Sequence, residues 1–333
     1  MMRKIVEFFA GAIVLALALF ASAASYYWLG WPSWARIGCA VITVPLITVL
    51  WFWSGAYSVL LRIGVVALFA VFFVAYGQKI PEPQTFVPLH AKVAEVYLNG
   101  SDVEVRNFRD AVHPIGAPAE PVWRTAHFNL DDLVGAKFIL QPFGNSLATV
   151  HVMTSFAFKD GRHLAVSVEA RRTSWTSFDA LAGFFKHDQL YIVLGTERDV
   201  LWKRLAHIPP NDLYLFDLKG SHPDTRRYLV RLLSLAGSLA KQPQFYSTIS
   251  ESCFTTLVNL SPKIADTVPW YDLRRWVPGA SVGLFQELDL VDSHVSEQNL
   301  IEQSKLGSDV QPPWEFSDSK AWSTHLRTRI GTK

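Results

Sequence analysis

The chain has 333 residues, half of them hydrophobic and 18% charged, with a mean hydropathy of +0.18 and a formal net charge of +2. Such a composition is too apolar for a disordered chain or a purely soluble enzyme, so a membrane segment is expected. Residues 1–79 carry five basic side chains and a single acid, Glu7. The remainder is near neutral, which argues against a nucleic-acid partner, because that affinity rests on clustered Lys and Arg.

Residues 8–29 are uncharged and apolar, long enough to cross a hydrocarbon layer of about 30 Å. Two more apolar runs, 37–53 and 59–76, predict a hairpin of spans, giving three crossings. Arg3 and Lys4 before the first span and Arg62 after the second favour a cytoplasmic N-terminus, with Arg36 counting against it. Residue 80 onward is then outside. Arg3-Lys4, the apolar run and Ala21-Ser22-Ala23 also fit a cleaved secretory leader, and the remaining hairpin would return the chain to the same side. The two cysteines, Cys39 in the second span and Cys253 beyond it, leave the external part without an internal disulfide.

Residues 80–102, with Pro81, Pro83 and Pro88, read as an extended connector. Segments 137–143, 147–158, 163–171, 189–196 and 213–218 are rich in β-branched and aromatic residues and read as strands. Residues 225–241 read as a helix with an apolar stripe of Leu229, Leu232, Leu233 and Ala236, and 177–186 as a weaker one. The tail beyond Pro262 reads as short helices wrapped on the core. The expected class is α+β: a three-helix anchor (1–79), the connector, a core of an antiparallel sheet packed on helices (103–262), and an extension (263–333).

Lys159-Asp160-Gly161-Arg162 predicts a hairpin whose register follows from turn chemistry. A type I turn with Gly161 left-handed pairs Phe158 with Arg162. Phe156 then meets Leu164, Thr154 meets Val166 and Val152 meets Val168; a shift of one residue would place Glu169 on the apolar face. The opposite face carries the polar set, where His151 falls opposite Glu169. A carboxylate beside an imidazole can fix its tautomer for base catalysis, although such a pair on a sheet is more often a surface ion pair. Cys253 supplies a nucleophile. It opens the run Phe254-Thr255-Thr256-Leu257-Val258, a helix capped by Ser250 or Ser252, and a thiolate at a helix N-terminus is stabilised by the macrodipole.

The ordered set Val105-Arg106-Asn107-Phe108-Arg109, Val150-His151-Val152-Met153-Thr154-Ser155-Phe156, Ser167-Val168-Glu169-Ala170-Arg171, Gly183-Phe184-Phe185, Glu197-Arg198-Asp199-Val200, Phe245-Tyr246 and Cys253-Phe254-Thr255-Thr256 resembles the Lnb N-terminal periplasmic domain family. The likeness runs over about 103–330. It implies a permuted papain-like core, similar to NlpC-type thiol enzymes, with a helix-borne cysteine facing a histidine and a polar residue on the sheet. It implies acyl transfer from a membrane lipid through a cysteine thioester, in the periplasm at the bacterial inner membrane. Ser252 stands where the family usually has Asn, in an oxyanion or capping position, and Phe254 where it usually has Thr. The larger membrane region that follows the domain in Lnb is not found before Lys333.

The catalytic set expected is Cys253, His151 and Glu169, with Arg106 and Arg109 as ligands for a lipid phosphate. No zinc-protease, Cys-x-x-Cys, nucleophile-elbow, Walker or dinucleotide motif is present, so no metal or cofactor is expected; His163 and His187 read as ordinary surface or core residues. Glu197, Arg198 and Asp199 read as a structural charged loop. Three functions stay open: a thiol acyltransferase or hydrolase on a membrane lipid or lipoprotein, a cysteine peptidase or amidase on cell-wall peptide, and a non-catalytic envelope protein. A reporter active only outside the cytoplasm should work when fused after Gln84 and fail when fused within 54–58; the reverse pattern would overturn the topology.

Overall fold

The apolar runs form three helices, α1 (Met2–Trp28), α2 (Ser33–Phe52) and α3 (Ser58–Gln78), each long and apolar enough to span a bilayer. The computed structural model describes residues 2–173, 179–208 and 211–332. They divide into two compact units, Met1–Glu82 with Asp179–Gln189, and Pro83–Phe178 with Leu190–Lys333.

In the first unit Val14, Ala18 and Ala21 of α1 pack with Ile47 of α2 and Val65 and Phe69 of α3. The distant segment 179–189 joins these helices through rings and one ammonium: Phe185 stacks on Tyr27 with centroids 5.4 Å apart, and Lys186 donates to the Tyr76 carbonyl at 2.8 Å. The weak helix expected at 177–186 shrinks to one 3-10 turn, Ala182–Phe184, with residues 174–178 outside the described part.

The second unit is built on an eight-stranded sheet. Its first strands are β1 (Glu95–Asn99), β2 (Asp102–Arg109), β3 (Trp123–Asn129), β4 (Leu133–Pro142), β5 (Val150–Phe158), β6 (His163–Arg171) and β7 (Gln189–Gly195). Two short helices, α4 (Glu197–Val200) and α5 (Trp202–His207), precede β8 (Tyr214–Leu218). The order is β1-β2-β7-β6-β5-β4-β8, with β3 also paired to β2. The class is α+β as expected, but the sheet is mixed, because β2 meets β7 in parallel at Arg109 and Gly195. Glycine is required there: a Cβ on Gly195 would lie 2.7 Å from the Arg109 carbonyl oxygen.

Helix α6 (His222–Lys241) and helix α7 (Cys253–Leu260) cover one face of the sheet. Phe156, Leu164, Val166 and Val168 meet Leu229, Leu232, Leu233, Phe254 and Leu257 in the main core. The chain continues through α8 (Pro262–Thr267), α9 (Ser281–Glu287), α10 (Glu297–Ser304) and α11 (Ser319–Thr328). The opposite face was expected to be polar, yet it is buried too, with Ile139, Met153, Ala165 and Tyr191 against Val200, Leu201, Trp202, Trp322 and Leu326. Residues 80–102 depart from a plain connector, since β1 pairs along its whole length with β2. The tail 263–333 does not separate from the core but belongs to the same unit.

The β5–β6 hairpin has the register that patterning predicts, with Phe156 opposite Leu164 and Thr154 opposite Val166. The turn is as expected: Gly161 sits at φ +81°, and the Phe158 N–H donates to the Arg162 carbonyl at 3.0 Å. Phe156 is fully buried and its ring lies 5.7 Å from that of Tyr228 on α6. Phe156→Ala should therefore cost about 3–5 kcal/mol, read by denaturant titration of the full chain in detergent. A loss under about 1 kcal/mol would mean that the site collapses without leaving a cavity.

Candidate functional site

Even-numbered residues of β5 turn their N–H groups toward β6, as the bond from Phe158 to Arg162 shows. By that alternation Val152 would pair with Val168, but the ladder stops one pair earlier, at Met153 and Ser167. The N-terminus of α7 meets the sheet at this strand end, where the Val152 backbone N–H favours the thiolate form of Cys253. Ser252 is the cap of α7. Its hydroxyl accepts from the Thr255 N–H and the Thr255 hydroxyl accepts from the Ser252 N–H, a reciprocal capping box.

Cys253, His151 and Glu169 all line one cavity of about 210 Å³. His151 is 6% exposed, so the pair on the sheet is not a surface ion pair. Nor is it a direct pair. Ser167 stands between them, with its Oγ 2.8 Å from His151 Nε2 and 2.9 Å from Glu169 Oε1. An ionised carboxylate only accepts, so the single hydroxyl proton of Ser167 goes to Glu169 and the serine oxygen accepts from His151 Nε2–H. That fixes the neutral tautomer with a lone pair on Nδ1, which makes no hydrogen bond among the described residues. No hydrogen bond joins Cys253 to His151, although both line the cavity.

Glu169 is the centre of the polar cluster. Arg204 Nη2 donates to its Oε1 at 2.6 Å and Arg204 Nη1 to Gln141 Oε1 at 3.0 Å. His90 accepts the Arg172 N–H on Nδ1 at 3.0 Å, so its protonated Nε2 faces Glu169 Oε2 at 3.5 Å. Burial pushes the Glu169 carboxyl up, but Lys203, Arg204 and His90 outweigh it and hold it well below the usual carboxylate range. Burial takes His90 down to about 4, against the pull of Glu169. His151 is held well below its ordinary value by burial and by the Arg204 charge. Burial pushes the Cys253 thiol up despite the Val152 and Phe254 N–H groups and Arg204. The resting pair is thus a thiol and a neutral imidazole.

The short helices α4 and α5 bring Arg204 and Lys203 to this cluster, and buried ion pairs fix them. Asp199 accepts from Arg109 Nε at 3.0 Å and from the Ala111 N–H at 2.7 Å, and lies 3.0 Å from His113 Nε2. Burial raises its carboxyl, but Arg109 and His113 hold it low. Glu197 is bound by Arg327 through two bonds of 2.8 Å and by Ser155 at 2.6 Å, which against burial bring it down to about 2. The reading of Glu197-Arg198-Asp199 as structural agrees with this burial.

Arg109 and Arg106, expected to hold a lipid phosphate, are elsewhere. Arg109 is 1% exposed and committed to Asp199, while Arg106 lies exposed on β2 against Glu104 and the Tyr97 ring. Neither lines the cavity. Among the described residues no cluster of His, Cys, Asp and Glu is arranged to hold a metal ion. Ser167, His90, Lys203 and Arg204 were not singled out from sequence. Ser167 alone had a local signal, two residues before Glu169 and so on the same strand face.

A thiol on a helix cap, a buried imidazole and a carboxylate around one cavity, on a chain with three membrane-length helices, describe a membrane-anchored periplasmic envelope protein once the family is known. Residues 119–279 match the family model of the Lnb N-terminal periplasmic domain. The match contains Cys253, His151, Ser167, Glu169 and Arg204, and leaves out His90 and Arg109. No curated protein and no solved structure matches the chain.

Because burial raises the Cys253 thiol, its alkylation by iodoacetamide should be slow at neutral pH, with a midpoint above that of a free thiol in the same buffer. Arg204→Gln removes a cation that favours the thiolate and leaves Glu169 less compensated, so the midpoint should move further up. Mass spectrometry of the Cys253 peptide across a pH series reads both; a midpoint below that of a free thiol in the same buffer, or a downward shift in the variant, would contradict this electrostatic account.

Proposed function

We propose that the periplasmic unit is a cysteine-dependent acyltransferase or hydrolase that takes acyl groups from membrane lipids or lipoproteins through an acyl-thioester, at the bacterial inner membrane. The observation that carries this reading is the convergence of Cys253, His151 and the Ser167–Glu169 relay on one cavity. His151 Nδ1 takes the thiol proton as Sγ forms a bond to the acyl carbonyl carbon. The tetrahedral intermediate collapses, the alcohol of the donor leaves with the proton from Nδ1, and the acyl group remains on sulfur. An amine or water then attacks the thioester, its proton passing to Nδ1 and on to the departing thiolate. Charge developing on the imidazole is met by Glu169 through Ser167. Separate thiol and imidazole in the resting state fit general-base activation during attack, and contacts of this kind tighten with substrate.

The same neutral thiol and the missing bond between Cys253 and His151 favour a second reading, a non-catalytic envelope protein on this fold. Complementation separates the two. Lipids and lipoproteins of a deletion strain are compared by mass spectrometry after expressing each variant. Cys253→Ser should restore nothing, His151→Ala should lose about 10²–10⁴ in rate, and Glu169→Gln should lose less because its amide oxygen still accepts from Ser167. If Cys253→Ser restores the wild-type lipid profile, the catalytic reading fails and the non-catalytic one stands.

A further inference from the structure

The cysteine cavity has more positive charge than its own acids neutralise. Arg204, Lys203 and Arg172 line it together with one carboxylate, Glu169. Arg204 is consumed by Glu169 and Gln141. The ammonium of Lys203 and the guanidinium of Arg172 have no hydrogen bond or ion pair among the described residues; only backbone groups of Arg172 are used, its N–H by His90 and its carbonyl by the Val87 N–H. Phe143, Val168 and Ile208 form an apolar wall in the same cavity. One small space thus offers two uncommitted cations and an apolar surface beside a thiol.

We propose that Lys203 and Arg172 seat the phosphate of an anionic amphiphile, a glycerophospholipid, with the apolar wall taking the start of its acyl chain next to Cys253. Naming the amphiphile an acyl donor rests on the reading above; the binding of its phosphate does not. The two cations come from different elements, α5 and the residue after β6. A tetrahedral phosphate presents oxygens to both, whereas a planar carboxylate is matched by one guanidinium, as Glu169 is by Arg204. Lys203 also lacks what an ammonium needs. Burial lowers it to about 8, with Glu169 and Asp199 attracting the ammonium and Arg204 and Arg109 repelling it. An arriving anion supplies the missing compensation.

The experiment is protection of Cys253 from iodoacetamide at pH 7.5, in the full chain in detergent, read on the Cys253 peptide. The probes are dihexanoyl phosphatidylglycerol, neutral dihexanoylglycerol, inorganic phosphate and hexanoate. The phospholipid should slow alkylation at concentrations where the other three do not. Lys203→Gln and Arg172→Gln should each raise the concentration needed at least fivefold, and Lys203→Arg, which keeps the charge, should retain protection. Equal protection by dihexanoylglycerol or hexanoate, or no effect of either Gln variant, would overturn the proposal. Equal protection by inorganic phosphate would make this a free-phosphate site and overturn the lipid assignment. If the phospholipid protects while Cys253→Ser leaves the lipid profile of complemented cells unchanged, the acyl-transfer reading fails and the binding site stands. If no probe protects while Cys253→Ser abolishes complementation, the binding proposal fails alone.

Discussion

The ion pair between Arg204 and Glu169 is the constraint on which the site depends. A carboxylate removed from water is costly unless it is paired and hydrogen-bonded, and Glu169 obtains both from a guanidinium, a serine and a histidine. Once ionised and fixed, it determines where the Ser167 proton goes. The serine in turn determines the tautomer of His151 and leaves Nδ1 with its lone pair. Removing the guanidinium would leave a buried charge facing only weaker partners, and the orientation of the imidazole would lose its anchor.

That pair is itself held by distant ones. Arg109 with Asp199, and Arg327 with Glu197, fix the start of a short segment whose Val200, Leu201 and Trp202 pack on the sheet. Buried pairs of this kind add little net stability, because desolvation offsets most of the attraction. Their value here is geometric: they set the position of α5 over the second face of the sheet. The charge density of 197–204 is therefore internal scaffolding for a polar centre.

The strands β5 and β6 and their register were legible because two independent signals agreed, the alternation of apolar residues and the glycine turn. So was the cap of α7, where Ser252 precedes the helix. The strands β1, β2 and β3 were not, since they are partly exposed, with polar residues such as Glu95, Glu104 and His127 breaking the pattern. In the site, His151, Glu169 and Cys253 could be placed because a hairpin and a helix start announce themselves locally. Arg204 and His90 could not. Each reaches Glu169 across a separation of 35 or more residues, and nothing in their neighbours points to a carboxylate. The burial of the polar face was hidden for the same reason, as it depends on α4, α5 and α11 folding over it from far along the chain. The pairing of Arg109 with Asp199 was hidden because a basic residue in a strand sequence does not reveal whether an acid awaits it inside.

Consecutive residues on a helix point about 100° apart. Helix α5 uses this: Arg204 turns to Glu169 while its neighbour Lys203 lines the cavity without a hydrogen-bond or ion-pair partner among the described residues. Since Asp199 pins the start of the segment, the number of residues from there to Arg204 sets which side chain meets the carboxylate. A single-residue insertion or deletion in that stretch would rotate the guanidinium away and bring a leucine or a lysine into its place. Outward positions such as His207 are open to substitution, while the segment's length is not open to change.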